Sequence, residues 1–159
     1  MMNFLKTELG SSPVIVEGVF AVPAARVFEA WTDSDEITQW FGASPNSMIR
    51  AEIDLRVGGA WRFIFDETEE KTVCLEGEYI EVSPNNKLVF SWVHVVKLAS
   101  GDKTATETSK VTLNFEEMGE STKVTLTHEG ITSEDGLRGV GSGWENTFAS
   151  FKSIITKTK

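Results

Sequence analysis

The hydrophobic pattern changes period three times along this chain, and the changes divide it into four parts. Val14 to Val22 is rich in β-branched residues with uneven alternation, which predicts a first strand. Pro23 follows where a helix tolerates its missing N–H. Val27, Phe28 and Trp31 then recur at helical spacing, so a short helix is expected over Ala24–Thr32. Asp33 and Glu36 have the spacing of a capping box and launch a second short helix carrying Ile37, Trp40 and Phe41, stopped by Gly42 and a Pro45-Asn46 turn.

From Met48 the period drops to two. Strands are expected over 48–54, 60–66, 73–82, 87–96, 106–117 and 121–129, separated by turn chemistry such as Gly58-Gly59, Ser83-Pro84-Asn85-Asn86 and Ser100-Gly101-Asp102. Connections this short imply consecutive antiparallel hairpins. The period then returns to the helical one: Val140, Trp144, Phe148, Phe151 and Ile155 make one apolar stripe, predicting a helix over about 142–156. The Gly139-Val140-Gly141-Ser142-Gly143 run reads as a stretch where the chain approaches the sheet and enters that helix. Its spacing does not match a dinucleotide fingerprint, and no βαβ unit surrounds it.

These elements order as an α+β domain over 13–159, with a flexible tail over 1–12. The expected architecture is a curved antiparallel sheet of about seven strands, with two short helices after the first strand and a long C-terminal helix across the sheet. A helix crossing a curved sheet leaves a cavity where the two diverge. The five tryptophans point the same way, because large semi-polar rings commonly line ligand cavities.

Composition narrows the function classes. A formal charge of −9 argues against nucleic acid, which needs a basic face. No apolar run reaches the length of a membrane span, and the first twelve residues have no continuous apolar core of a secretory signal. One cysteine, Cys74, excludes an internal disulfide and suits a reducing, cytoplasmic setting.

Strand parity then nominates a pocket wall. Trp92 and His94 share one strand face, His128 lies on the inward face of the last strand, and Trp144 and Phe148 lie on the helix stripe. Trp61 and Phe63 can join them, with Trp40 and Phe41 at the mouth. The same residues also suit a plain core. Histidine is the side chain whose unperturbed pKa lies near neutral, so His94 and His128 suit a general base, a ligand-orienting group or a structural hydrogen bond. Glu76, which shares a face with Glu78, is either an inward acid–base carboxylate or a solvated, ion-paired one. Two histidines with Cys74 or Glu76 match no zinc spacing, so neither metal nor cofactor is expected. No Gly-x-Ser-x-Gly, His-Glu-x-x-His or phosphate loop is present.

The run Pro23-Ala-Ala-Arg-Val-Phe-Glu-Ala-Trp-Thr-Asp33, followed by Trp40-Phe41-Gly42, resembles the opening of the START-like (SRPBCC) helix-grip superfamily. Within it the chain most resembles the activator of heat-shock protein 90 ATPase homologue branch. The later marks follow in family order: Asp54-Leu55-Arg56-Val57-Gly58-Gly59-Ala60-Trp61, Gly77-Glu78-Tyr79, Leu88-Val89-Phe90-Ser91-Trp92, Leu126-Thr127-His128-Glu129-Gly130 and Gly143-Trp144. The resemblance implies a helix-grip fold that holds an apolar or amphipathic small molecule between sheet and helix. Some relatives on this scaffold are cyclases or hydrolases. The branch is named for a larger co-chaperone whose activity depends strongly on an additional N-terminal domain. An enzyme of the cyclase or hydrolase type and an interaction module with a chaperone partner are therefore the alternatives.

Overall fold

The computed structural model describes residues 13–42 and 47–155. The expected tail, the Pro45-Asn46 turn and the last residue of the expected terminal helix lie outside them. The chain runs β1 (Val14–Phe20), α1 (Ala24–Thr32), α2 (Ser34–Trp40), β2 (Arg50–Ile53), β3 (Ala60–Glu67), β4 (Lys71–Ser83), β5 (Lys87–Leu98), β6 (Lys103–Ala105), β7 (Ser109–Met118), β8 (Ser121–Glu129) and α3 (Glu134–Ile155). Every strand pairing is antiparallel, in the order β1-β8-β7-β5-β4-β3-β2, with β6 added alongside β5. The α+β helix-grip class expected from the sequence is the observed one.

Local chemistry sets the short helices. Asp33 caps α2, its Oδ1 accepting from the backbone N–H groups of Asp35 (2.8 Å) and Glu36 (3.1 Å). The second half of the expected capping box does not form. Glu36 turns to Arg26 at 2.8 Å, while the Asp33 N–H serves as the closing bond of α1 on the Glu29 carbonyl.

Two boundaries differ from the sequence reading, and both shape the site. The expected strand over 106–117 begins only at Ser109, and a short strand the sequence reading did not expect, β6, precedes it: β5 pairs with β7 over Lys87–Trp92 and with β6 over Val95–Lys97. Between them Thr106 takes the place of a ladder residue, its Oγ1 accepting the His94 N–H at 2.9 Å while its own N–H reaches the His94 carbonyl. The sheet parts there. The terminal helix begins at Glu134, well before the glycine run. Ser133 Oγ caps it by accepting from Gly136 N–H at 2.9 Å, and Glu134 and Asp135 complement the dipole of its first turn. The glycines are helix interior, not helix entrance.

The core lies between the concave face of the sheet and the C-terminal half of α3. Phe148, Phe151 and Ile155 are essentially inaccessible there, with Phe20 against Phe151 (ring centroids 4.8 Å) and Trp40 against Phe151 (4.4 Å). Each such side chain contributes about 1.5–3 kcal/mol from burial. A second small cluster, Ile64, Cys74 and Val95, sits on the other side of the sheet, where Cys74 packs as a small hydrophobe.

Candidate functional site

The N-terminal half of α3 does not pack as its C-terminal half does. A cavity of about 760 Å³ lies under it, walled by the ends of β5 and β7, the β6–β7 connection and the loop over 130–133. Gly130 makes that loop possible, turning the chain out of β8 at φ 94°, a conformation that other residues rarely adopt. On α3 the lining positions are Gly136, Gly139, Val140, Gly143, Trp144 and Thr147, which recur at three- and four-residue steps on one helix face. At Gly139 and Gly143 a side-chain carbon would meet nothing within 4 Å. These two glycines leave space; they do not permit close approach.

The opposing wall is apolar: Phe41, Phe65, Leu75 and the Trp92 ring. Trp92 and Trp144 face each other at 5.0 Å between ring centroids. Polar groups gather at the rim. Glu107 accepts from the Thr132 hydroxyl at 2.7 Å and ties the β6–β7 connection to the loop before α3. Thr147 donates to the Gly42 carbonyl at 3.2 Å, joining α3 to the end of α2.

Of the ten residues nominated by sequence, Phe41, Trp92, His94 and Trp144 line this cavity. Trp40, Trp61, Phe63 and Phe148 lie in the core instead, because they sit deeper along the same faces. Trp40 donates to the Ala30 carbonyl and Trp61 to the Ser91 carbonyl, each at 3.2 Å, so both indoles are satisfied without a ligand. Glu76 is on the other side of the sheet. Leu75 points inward, so its neighbour points outward, where Arg62 lies 3.4 Å from the Glu76 carboxylate. His94 lies at the exposed rim. Sequence reasoning did not find Ser109, Glu107, Phe65, Leu75 or, as lining residues, the α3 glycines Gly136, Gly139 and Gly143. Parity on β7 would have given Ser109, as the polar residue continuing the inward series Val111, Leu113 and Phe115.

His128 is fully buried directly behind the wall. Its Nδ1 receives the Trp144 indole N–H at 2.9 Å, and its Nε2 lies 2.7 Å from Ser109 Oγ. An indole N–H is a donor only, so Nδ1 must offer a lone pair. The neutral imidazole therefore carries its proton on Nε2 and donates to Ser109. Burial favours that neutral state, lowering the His128 pKa to about 4. The pair has the separation of a serine–histidine dyad with the proton on the wrong nitrogen. His128 in this state cannot take the Ser109 proton, and acts as a donor to it. Among the described residues no group of three or more His, Cys, Asp or Glu is placed to hold a metal. No described helix is long and apolar enough to cross a membrane.

The family model described as activator of Hsp90 ATPase homolog 1-like protein matches residues 21–156, and the chain belongs to that family. No curated protein sequence matches it. Similar solved structures include protein MLL2253 from Mesorhizobium loti, at 20% identity and TM-score 0.72 over 92% of this chain and 98% of that one. Protein NE0264 from Nitrosomonas europaea is 16% identical with TM-score 0.71, over 92% and 96%. CalU16 from Micromonospora echinospora is 26% identical with TM-score 0.65, over 97% and 83%.

Proposed function

We propose that this member of the family binds one small, largely apolar molecule in the cavity beneath the N-terminal half of α3. The observation that carries the reading is the open space at Gly139 and Gly143. Glycine inside a helix is about 0.8–1.0 kcal/mol less favourable than alanine, and here no close packing offsets that cost. Both glycines are exposed on the open side of the cavity, whose volume of about 760 Å³ falls in the range of small-molecule pockets. The position of the cavity, between sheet and terminal helix, is the one the family scaffold offers a ligand.

The rim constrains the ligand's charge. Glu107 stands at the mouth, and the chain carries a net charge of −9, so a neutral or cationic molecule is favoured over an anion. Burial of the ligand's apolar surface supplies the affinity, and the free, buried Cys74 accords with a cytoplasmic location. The Ser109–His128 pair raises a hydrolase reading, but the position of the proton works against it. A chaperone-binding module has less support, because the exposed large hydrophobics are scattered over several elements.

Native mass spectrometry of freshly purified protein, with organic extraction of whatever is bound, tests the reading. A co-purifying molecule at one per chain is the expected result. Empty protein that also fails to take up neutral apolar dyes would overturn it.

A further inference from the structure

The donors and acceptors around the cavity are unevenly committed, and the imbalance falls on one atom. Ser109 is 7% exposed and lines the cavity beside its strand partner Trp92. A serine hydroxyl has one proton to give and lone pairs to receive. The His128 Nε2–H fills one lone pair at 2.7 Å. Among the described residues the proton has a single acceptor, the Trp92 carbonyl, at 3.4 Å. That is well beyond the usual 2.5–3.0 Å for O–H···O, so the donor is close to unused. Receiving a hydrogen bond on the oxygen also polarises the O–H and strengthens it as a donor.

The other cavity hydroxyls are differently placed. Thr132 gives its proton to Glu107 and Thr147 gives its own to Gly42. Ser133 is engaged as the helix cap and Thr106 receives the His94 N–H, both at the exposed rim. Among the described cavity hydroxyls only Ser109 combines burial, a fixed oxygen and a proton held by nothing better than a long bond.

We propose that the ligand docks an acceptor-only group, a ketone or ester carbonyl, on the Ser109 hydroxyl, which the buried Trp144–His128 pair holds as a dedicated donor. The inference rests on the cavity being a binding site and adds the chemistry of what enters it. The ligand's apolar body then lies between Trp92, Trp144 and the glycine face of α3. Ser109 positions the ligand and forms no covalent bond with it, since the base that would activate it already carries a proton on the facing nitrogen.

The test uses two neutral probes of the same shape, 6-propionyl-2-(dimethylamino)naphthalene and its carbonyl-free 6-propyl analogue. Each is titrated into wild-type protein and into Ser109→Ala. The ratio of ketone to hydrocarbon affinity is expected to fall roughly three- to tenfold in the variant, the worth of one hydrogen bond. Affinity for the hydrocarbon should be unchanged, and the emission of the bound ketone should shift to the blue. Two-bond proton–nitrogen NMR of the histidine rings should show His128 protonated on Nε2 alone. If Ser109→Ala does not fold, Ser109→Cys keeps a side-chain atom facing His128 but donates weakly, and should move the ratio in the same direction. An unchanged ratio with the hydrocarbon still bound, or a His128 protonated on Nδ1, overturns the role of Ser109 and leaves the cavity reading standing. Binding of neither probe overturns both.

Discussion

The double substitution Gly139→Ala/Gly143→Ala should make the protein more stable, and the leucine pair at the same sites should then abolish ligand uptake. Both positions are interior to α3, and a side-chain carbon at either meets nothing within 4 Å. Each alanine therefore gains the helix-propensity difference of about 1 kcal/mol with no clash to offset it, about 2 kcal/mol for the pair. For 159 residues the unfolding entropy is about 0.33 kcal/mol/K, so the melting temperature should rise by about 6 °C. Leucine keeps most of the propensity gain, but its branched end fills the space between α3 and Trp92, and apolar-dye affinity should drop about tenfold or more. Gly136→Ala is the internal control. Its carbon would lie 2.7 Å from Ser133 Oγ and 3.1 Å from Ile131 Cγ2, so it disturbs the helix cap and should give no such gain. Thermal unfolding by calorimetry and dye titration read the two effects separately. A destabilised alanine pair would refute the claim that the glycines face open space. A stabilised leucine pair with undiminished dye binding would show that the ligand sits elsewhere.

Other consequences follow from single contacts. The folded pKa of His128, about 4, lies below the usual 6.5, so the unfolded chain binds the extra proton between those values. Stability should thus be full above pH 6.5 and decline by on the order of 3 kcal/mol as the pH falls to 4. His128→Gln should flatten that decline in urea titrations at pH 7.5 and 4.5, and an equal slope in both proteins would refute the assignment. Gly77 faces Trp61 across β3 and β4, and a side-chain carbon there would collide with the Ser91 carbonyl that receives the Trp61 N–H. Gly77→Ala should therefore destabilise by about 2–3 kcal/mol in chemical denaturation. Trp92→Ala removes the ring opposite Trp144 and should weaken apolar-dye binding about tenfold in a folded protein. Unaltered affinity would remove Trp92 from the site.

Periodicity carried most of the fold, since a change from period two to period 3.6 reports which face of an element is buried. It did not carry the start of α3. Four glycines among Gly136, Gly139, Gly141 and Gly143 look like a break when judged by propensity, whereas the start signal was Ser133 followed by Glu134 and Asp135. It also missed the parting of β6 from β7, where a threonine side chain replaces a ladder bond that no alternation pattern distinguishes. At the site, strand parity put Trp92 and His128, and the helical stripe put Trp144, on faces turned inward. Parity does not encode depth along a sheet, so Trp61 and Phe63 on β3 were read as wall when they are core. It does not fix phase on an isolated strand either. For Glu76 parity leaves an inward and a solvated carboxylate both open, and Leu75, facing the cavity, sets the phase of β4 that puts Glu76 outside, beside Arg62.

The two halves of α3 pack differently, one into the core and one over the cavity, and Trp144 stands at the junction. Toward the C-terminus Phe148, Phe151 and Ile155 close the core against the sheet; toward the N-terminus Gly139 and Gly143 leave the space beneath the helix unfilled. The Trp144 ring is buried in the aromatic cluster, within 5.6 Å of Phe41 and 5.0 Å of Trp92, so it belongs to the packed half. Its N–H fixes the His128 proton, and through it the Ser109 oxygen, so it also governs the polar face of the open half. An indole is suited to both tasks because it offers a large apolar surface and a donor that never accepts. The same side chain that anchors the helix thereby removes the base a nucleophilic serine would need. On the proposed reading, what remains at the cavity is the Ser109 hydroxyl as a fixed donor.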